Sequence, residues 1–244
     1  MPASELWRVR RVPRVCGGTE IAGNLTVRGS ALTALALPNL LVVRGLVIEA
    51  NTALTSVRLP ALKASDDVLL VGNAVLETLE IPALKEVGGE FAMRENEKLD
   101  TVRISSLTKV AGNFDIFQNP QLLTMEATTL EDLGGDVLVH ENVQLQAWST
   151  GALQKVGMAV KFFSNPALAT LELGALEEVG GGFNVMKNDI LAAVELGVLR
   201  TVGGYVQIWG NPALPAVDLR ALEEVGGFLN VRDNAALATV ELGV

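Results

Sequence analysis

Apolar residues recur along this chain on a fixed beat, and within each beat they alternate with polar ones. Alternation with period two marks a strand that buries one face. In Phe183-Asn184-Val185-Met186 it turns Phe183 and Val185 inward and leaves Asn184 and Met186 outside. In Thr170-Leu171-Glu172-Leu173 the two leucines point in. A third short stretch, Ala175-Leu176-Glu177-Glu178-Val179, closes the turn. No segment carries a helical stripe of useful length.

The beat is kept by asparagine. Asn51, Asn73, Asn96, Asn119, Asn142, Asn165, Asn188, Asn211 and Asn234 are separated by 22 residues once and by 23 seven times. Leu follows each Asn three residues on, from Leu54 to Leu237, and again eleven residues on, from Leu62 to Leu222. Gly pairs precede the Asn, as at Gly88-Gly89, Gly134-Gly135, Gly203-Gly204 and Gly226-Gly227. An imperfect copy runs from Gly23 to Val43, with Ser30 near the Asn slot. A fixed period of this length marks stacked repeats. Three short strands per repeat predict an all-β fold, a parallel β-helix of about ten coils. Coils rising about 4.8 Å each make a rod of roughly 45–50 Å. The expected organisation is a capping segment over 1–15, with Leu6, Trp7, Val9 and Val12 covering the first coil, and one solenoid over 16–244.

The Asn column has a physical role in such a stack. A corner leaves backbone N–H and C=O groups aimed into the rod, and an amide side chain can donate and accept there, and also bond the Asn one coil away. An unsatisfied buried polar group costs about 1–3 kcal/mol, so the corner selects Asn. The Gly pairs are expected to supply positive φ at another corner. They lack the following Asp of calcium-binding nonapeptide coils.

Composition narrows the function. The chain has 244 residues, 49% of them apolar, with 28 acids against 19 bases and a formal net charge of −9. That is too apolar for disorder, and too acidic for a typical nucleic-acid binder. One Cys and one His exclude a disulfide framework and Cys- or His-rich metal sites. No run approaches the ~20 apolar residues of a membrane span. The basic start, MPASELWRVRRVPRV, lacks the apolar core of a signal peptide. An end at Glu241-Leu242-Gly243-Val244 is expected to leave the last coil packing on another copy or continuing into further sequence.

Catalytic groupings are sparse. Cys16 and His140 lie about 24 Å apart at the coil spacing, too far for a dyad. His140 could meet Asp115 and Ser164 of neighbouring coils. Glu172, Glu195, Asp218 and Glu241 share an outward column, where neighbours about 4.8 Å apart would raise each other's pKa. Such carboxylates could serve acid–base work or hold calcium, as in β-helical enzymes that cleave polysaccharides. The competing reading is a solvated acidic face. No catalytic residue, metal or cofactor is assigned.

The most informative outward column sits two residues before each Asn: Arg28, Glu49, Val71, Arg94, Phe117, His140, Phe163, Met186, Trp209, Arg232. Its middle is large and mostly apolar although the alternation points it at solvent, and Leu138 lies beside it. Aromatics, Met and Arg are what interface cores favour, and an exposed patch of several hundred Å² marks an interaction site. The competing reading is a ladder that only stiffens the sheet. Trp148 differs: it takes an inward Leu slot next to Met125 and is expected in the core.

The opening Cys16-Gly17-Gly18-Thr19-Glu20-Ile21-Ala22-Gly23-Asn24-Leu25-Thr26-Val27 resembles the start of a receptor L domain, the β-helical ligand-binding module of insulin and EGF receptors. The coil from Leu76 to Asn96 is similar to the same family and to its fungal cell-wall and bacterial relatives. The likeness covers roughly residues 16–244. A leucine-rich repeat is the near alternative, but it places Leu two residues after the Asn, not three. The resemblance implies a right-handed β-helix that binds something on one flat face, at the cell surface or outside it; the lone Cys and missing leader are also compatible with cytoplasm. With only Cys16, the disulfides of receptor L domains are missing, so growth-factor ligands do not carry over. The leading expectation is a non-enzymatic protein that binds a protein partner or itself, with no nucleic acid. The alternatives are a glycan-binding or glycan-cleaving β-helix using the acidic column, and a structural filament element.

Overall fold

The computed structural model describes residues 19–243. They form a parallel β-solenoid without helices, in which each strand pairs with its counterpart one coil along. The long wall is a 17-stranded sheet. It opens with Thr19–Arg28, Leu40–Glu49 and Ala64–Val71, each a single strand. From the fourth coil this strand breaks into two, Glu86–Val87 and Phe91–Arg94, both still paired to Ala64–Val71. The opposite wall is divided into two four-stranded sheets and one pair, beginning with Ala34–Ala36, Thr124–Glu126 and Ala216–Leu219. This is the three-strand coil and the 23-residue register that the sequence predicts.

Inward positions fill one continuous apolar core. Leu54, Leu76, Leu99, Leu122, Leu145, Leu168, Leu191 and Leu214 stack fully buried down one column. Trp148 is buried as expected, aligned with Met125 and set edge-on to Phe114 and Phe162, with ring centroids 5.7 and 5.2 Å away. Phe91 and Phe114 stack at 4.8 Å.

The Asn ladder is continuous. Each backbone N–H from Asn51 to Asn211 donates to the Oδ1 of the next Asn at 2.9–3.3 Å. Each Nδ2 also reaches back to a strand carbonyl of the preceding coil, such as Ile116 from Asn142 at 2.9 Å. Ser30 begins the ladder, its N–H and hydroxyl both donating to Asn51 Oδ1.

The glycine expectation is corrected. Among the described residues none of the paired glycines has positive φ. A Cβ on Gly134, Gly157, Gly180, Gly203 or Gly226 would instead stand 2.1–2.3 Å from a carbonyl oxygen of the coil before it. Glycine is needed there because successive backbones stack with no room for a side chain. The left-handed residue sits elsewhere, immediately before each Asn: Ala50, Gly72, Glu95, Gln118, Glu141, Ser164, Lys187, Gly210 and Asp233 have φ between 50° and 66°. Only two of these are glycine, though a left-handed conformation costs an ordinary L-residue roughly 1–2 kcal/mol. The ladder bonds made one residue later hold the corner in place.

The expected capping segment 1–15 and Cys16 lie outside the described residues. No helix among the described residues is long and apolar enough to cross a membrane.

Candidate functional site

The pleat of the long wall sends alternate residues outward, and parallel pairing without offset stacks like on like. The register runs Arg94↔Phe117↔His140↔Phe163↔Met186↔Trp209↔Arg232, coil upon coil. The sequence-predicted column is therefore one physical ladder. All seven are half-buried except Arg232, which is exposed. Leu138 belongs to the neighbouring outward column, opposite Asp115 and Lys161.

Ring geometry decides what this ladder can contact. His140 lies between Phe117 and Phe163, with centroids 4.3 and 4.4 Å away and planes inclined by 26° and 11°. The ring faces are spent on each other, so edges point to solvent. Lys187 Nζ and Arg232 Cζ approach the ring of Trp209 to within 5.2 and 4.9 Å of its centroid. Cations at that range are attracted to the ring quadrupole. A nucleobase needs an open aromatic face to stack upon, which the Phe117–His140–Phe163 stack does not offer.

The face is closed at one end by charge. Arg94 Nε donates to Asp115 Oδ2 at 2.6 Å, and Arg94 also pairs with Glu90. Burial works against the Arg94 charge, but Asp115 and then Glu90 outweigh it and hold its pKa above the ordinary value. Asp115 Oδ1 is buried with no hydrogen-bond partner. Asp115 is 7% and Asn184 4% exposed although the alternation turns both outward; the phenol of Tyr205 sits over Asn184 at 3.0 Å.

The grouping of His140, Asp115 and Ser164 does not form. Asp115 is engaged by Arg94, Ser164 occupies a left-handed corner, and His140 Nδ1 has no hydrogen-bond partner. Its nearest carboxylate is Glu141, at 3.5 Å. Among the described residues no cluster of three His, Cys, Asp or Glu could hold a metal ion.

The acidic column also differs from expectation. Asp218 and Glu241 are in register, but Arg220 bonds both, at 2.7 Å to Asp218 and 3.1 Å to Glu241. The carboxyl of Asp218 is lowered to about 2 by the side-chain hydrogen bond from Arg220, with its backbone N–H adding to it. Mutual repulsion raises nothing at that position. In the N-terminal half the same column alternates in sign: Glu80 pairs with both Arg58 and Arg103.

A second feature was not anticipated from sequence. The residues before and after each ladder Asn form two parallel rims along the corner, enclosing a groove of about 820 Å³ between Gly72 and Asp189. The left-handed column that forms one rim is chemically varied, so no residue type announces it.

No protein-family model, curated protein or solved structure matches the chain. The fold and site geometry above rest on the chain's own residues.

Proposed function

We propose that this chain is a non-enzymatic repeat protein whose long sheet is a docking face for a protein partner. Phe117, His140, Phe163, Met186 and Trp209 form its centre, with Arg94, Arg232 and Leu138 at its margin. The stacked register of that column supports the reading most directly. Five large side chains at about 4.8 Å spacing make a strip roughly 19 Å long on a face that strand alternation turns to solvent. Edge-on rings present apolar C–H groups without an open face, which suits the side chains of a protein more than a sugar or a base. Anchors of Trp, Phe, Met and Arg are those that carry interface energy. The likeness of Cys16–Val27 and of the Leu76–Asn96 coil to receptor L domains agrees with a binding role, and we place the chain beside that family on those residues.

The test is quantitative capture of partners from the source organism by the wild-type chain and by a Phe163→Ala/Trp209→Ala variant, with thermal melting in parallel. The reading expects an unchanged melt and loss of the partners that cross-link to this face. A variant that melts far earlier would make the column structural, and an unchanged partner set would remove the site.

A further inference from the structure

We infer that the corner groove binds an extended polyproline-II segment with a cation at every third residue. This surface uses none of the side chains of the sheet face, so it stands or falls separately from the docking reading above.

The groove floor is closed to recognition. Its residues are the ladder asparagines, fully buried from Asn73 to Asn188, with backbone N–H groups already given to the next rung. Recognition therefore belongs to the rims. Their carboxylates, Glu95, Glu97, Glu141 and Asp189, fall on every second coil. The coils between carry Gln118, Pro120, Ser164 and Pro166, which are uncharged. All four carboxylate residues are exposed, and among the described residues Glu95, Glu97 and Asp189 make no ion pair. Gln118 Nε2 holds Glu141 Oε2 at 2.8 Å, fixing its position. Lys187, the one cation on the rims, approaches Trp209.

Spacing selects the occupant. Two coils rise about 9.6 Å. One turn of polyproline II, three residues at about 3.1 Å, rises about 9.3 Å. Side chains three apart on such a segment point the same way and keep step with the acidic coils from Glu95 to Asp189. A β-strand repeats its facing about every 6.7 Å and a helix about every 5.4 Å; neither keeps that step. Pro120, Val143 and Pro166 offer apolar surface between the charges, against which proline rings can lie.

The experiment titrates the full chain at low salt with three labelled peptides, followed by anisotropy: Arg-Pro-Pro repeated four times, Arg-Pro repeated six times, and Glu-Pro-Pro repeated four times. The first is expected to bind, the second to bind at least fivefold more weakly despite its greater charge, and the third not at all. Each carboxylate should be worth roughly 1.5- to 5-fold at such exposed sites. Glu95→Gln/Glu97→Gln/Glu141→Gln/Asp189→Asn should then weaken the first peptide by about fivefold or more, with its circular dichroism unchanged. Val143→Lys, at an exposed position between the prolines, should weaken it independently. Equal or tighter binding of the Arg-Pro repeat would reduce the effect to bulk charge and overturn the assignment. An unaltered affinity of the quadruple variant would do the same. The chain's own Arg8, Arg11 and Arg14 have the three-residue spacing, so self-association abolished by the quadruple variant, without peptide binding, would make a second copy the occupant and overturn the proposal.

Discussion

Replacing Asn142 by Ala should weaken the solenoid at its centre. The Asn142 side chain accepts from the Asn119 N–H at 3.0 Å and donates to the Ile116 carbonyl at 2.9 Å. It also donates to the His140 carbonyl, but that group keeps the N–H of Gln118 as a partner. The Ile116 carbonyl likewise keeps the N–H of His140 through the parallel pairing of the two strands, so the Ala variant leaves one buried backbone group without a partner, the Asn119 N–H. The expected loss is about 1–3 kcal/mol, the cost of one orphaned buried group. Neighbouring coils are coupled mainly to each other in a stacked repeat, so the loss is read in two ways. Denaturant unfolding followed by circular dichroism gives the global change. Hydrogen exchange gives the local one, with the Asn119 amide exchanging at least about tenfold faster. Gln144→Ala, at an exposed position nearby, is the control and should change stability by less than about 0.5 kcal/mol. If Asn142→Ala cost no more than that control, the ladder would not be holding the corner.

Gly157→Ala would place a Cβ 2.2 Å from the Gly134 carbonyl oxygen, so the coils must part, at about 1–3 kcal/mol; Gly151→Ala meets nothing within 4 Å and should melt like the parent chain. The Asp218 carboxyl, lowered to about 2 from an ordinary 3.8, should titrate near the lower value by NMR and return toward the upper one in Arg220→Gln. Because the folded value is depressed, its contribution to stability is present above pH 3.8 and is lost as the pH falls toward 2. An Asp218 titration unmoved by Arg220→Gln would show that the guanidinium is not its partner.

Residues that repeat as a type were legible in the sequence, and those that repeat only as a conformation were not. Asn every 23 residues fixed the coil, and the period-two alternation placed Phe183, Val185 and Leu171 inside and the Phe117-to-Trp209 column on the outer face. The Trp148 slot was readable because the alternation turns it inward, in line with Met125 and Leu171 of the neighbouring coils. The left-handed corner was hidden because Ala50, Glu95, Gln118, Ser164 and Lys187 share backbone geometry but no chemistry. The Gly pairs were visible, yet their reason was steric contact between coils, which a one-dimensional pattern does not encode. Side chains that reach across columns were equally hidden: Arg94 to Asp115, Arg220 between Asp218 and Glu241, Tyr205 over Asn184. Arg94 dismantles the triad, and Arg220 the repelling pair Asp218–Glu241, that spacing alone had allowed.

Every surface described above depends on successive coils lying directly over one another. Pulsed electron spin resonance can measure that rise. Spin labels go on paired cysteines in a Cys16→Ser background, at exposed positions of the left-handed column: Glu95 with Lys187, Ala50 with Lys187, and Ala50 with Asp233. With about 4.8 Å per coil, distances of roughly 19, 29 and 38 Å are expected, growing in proportion to the coils crossed. Distances that fail to grow in that proportion would contradict the stacked register and, with it, both the aromatic face and the acidic groove.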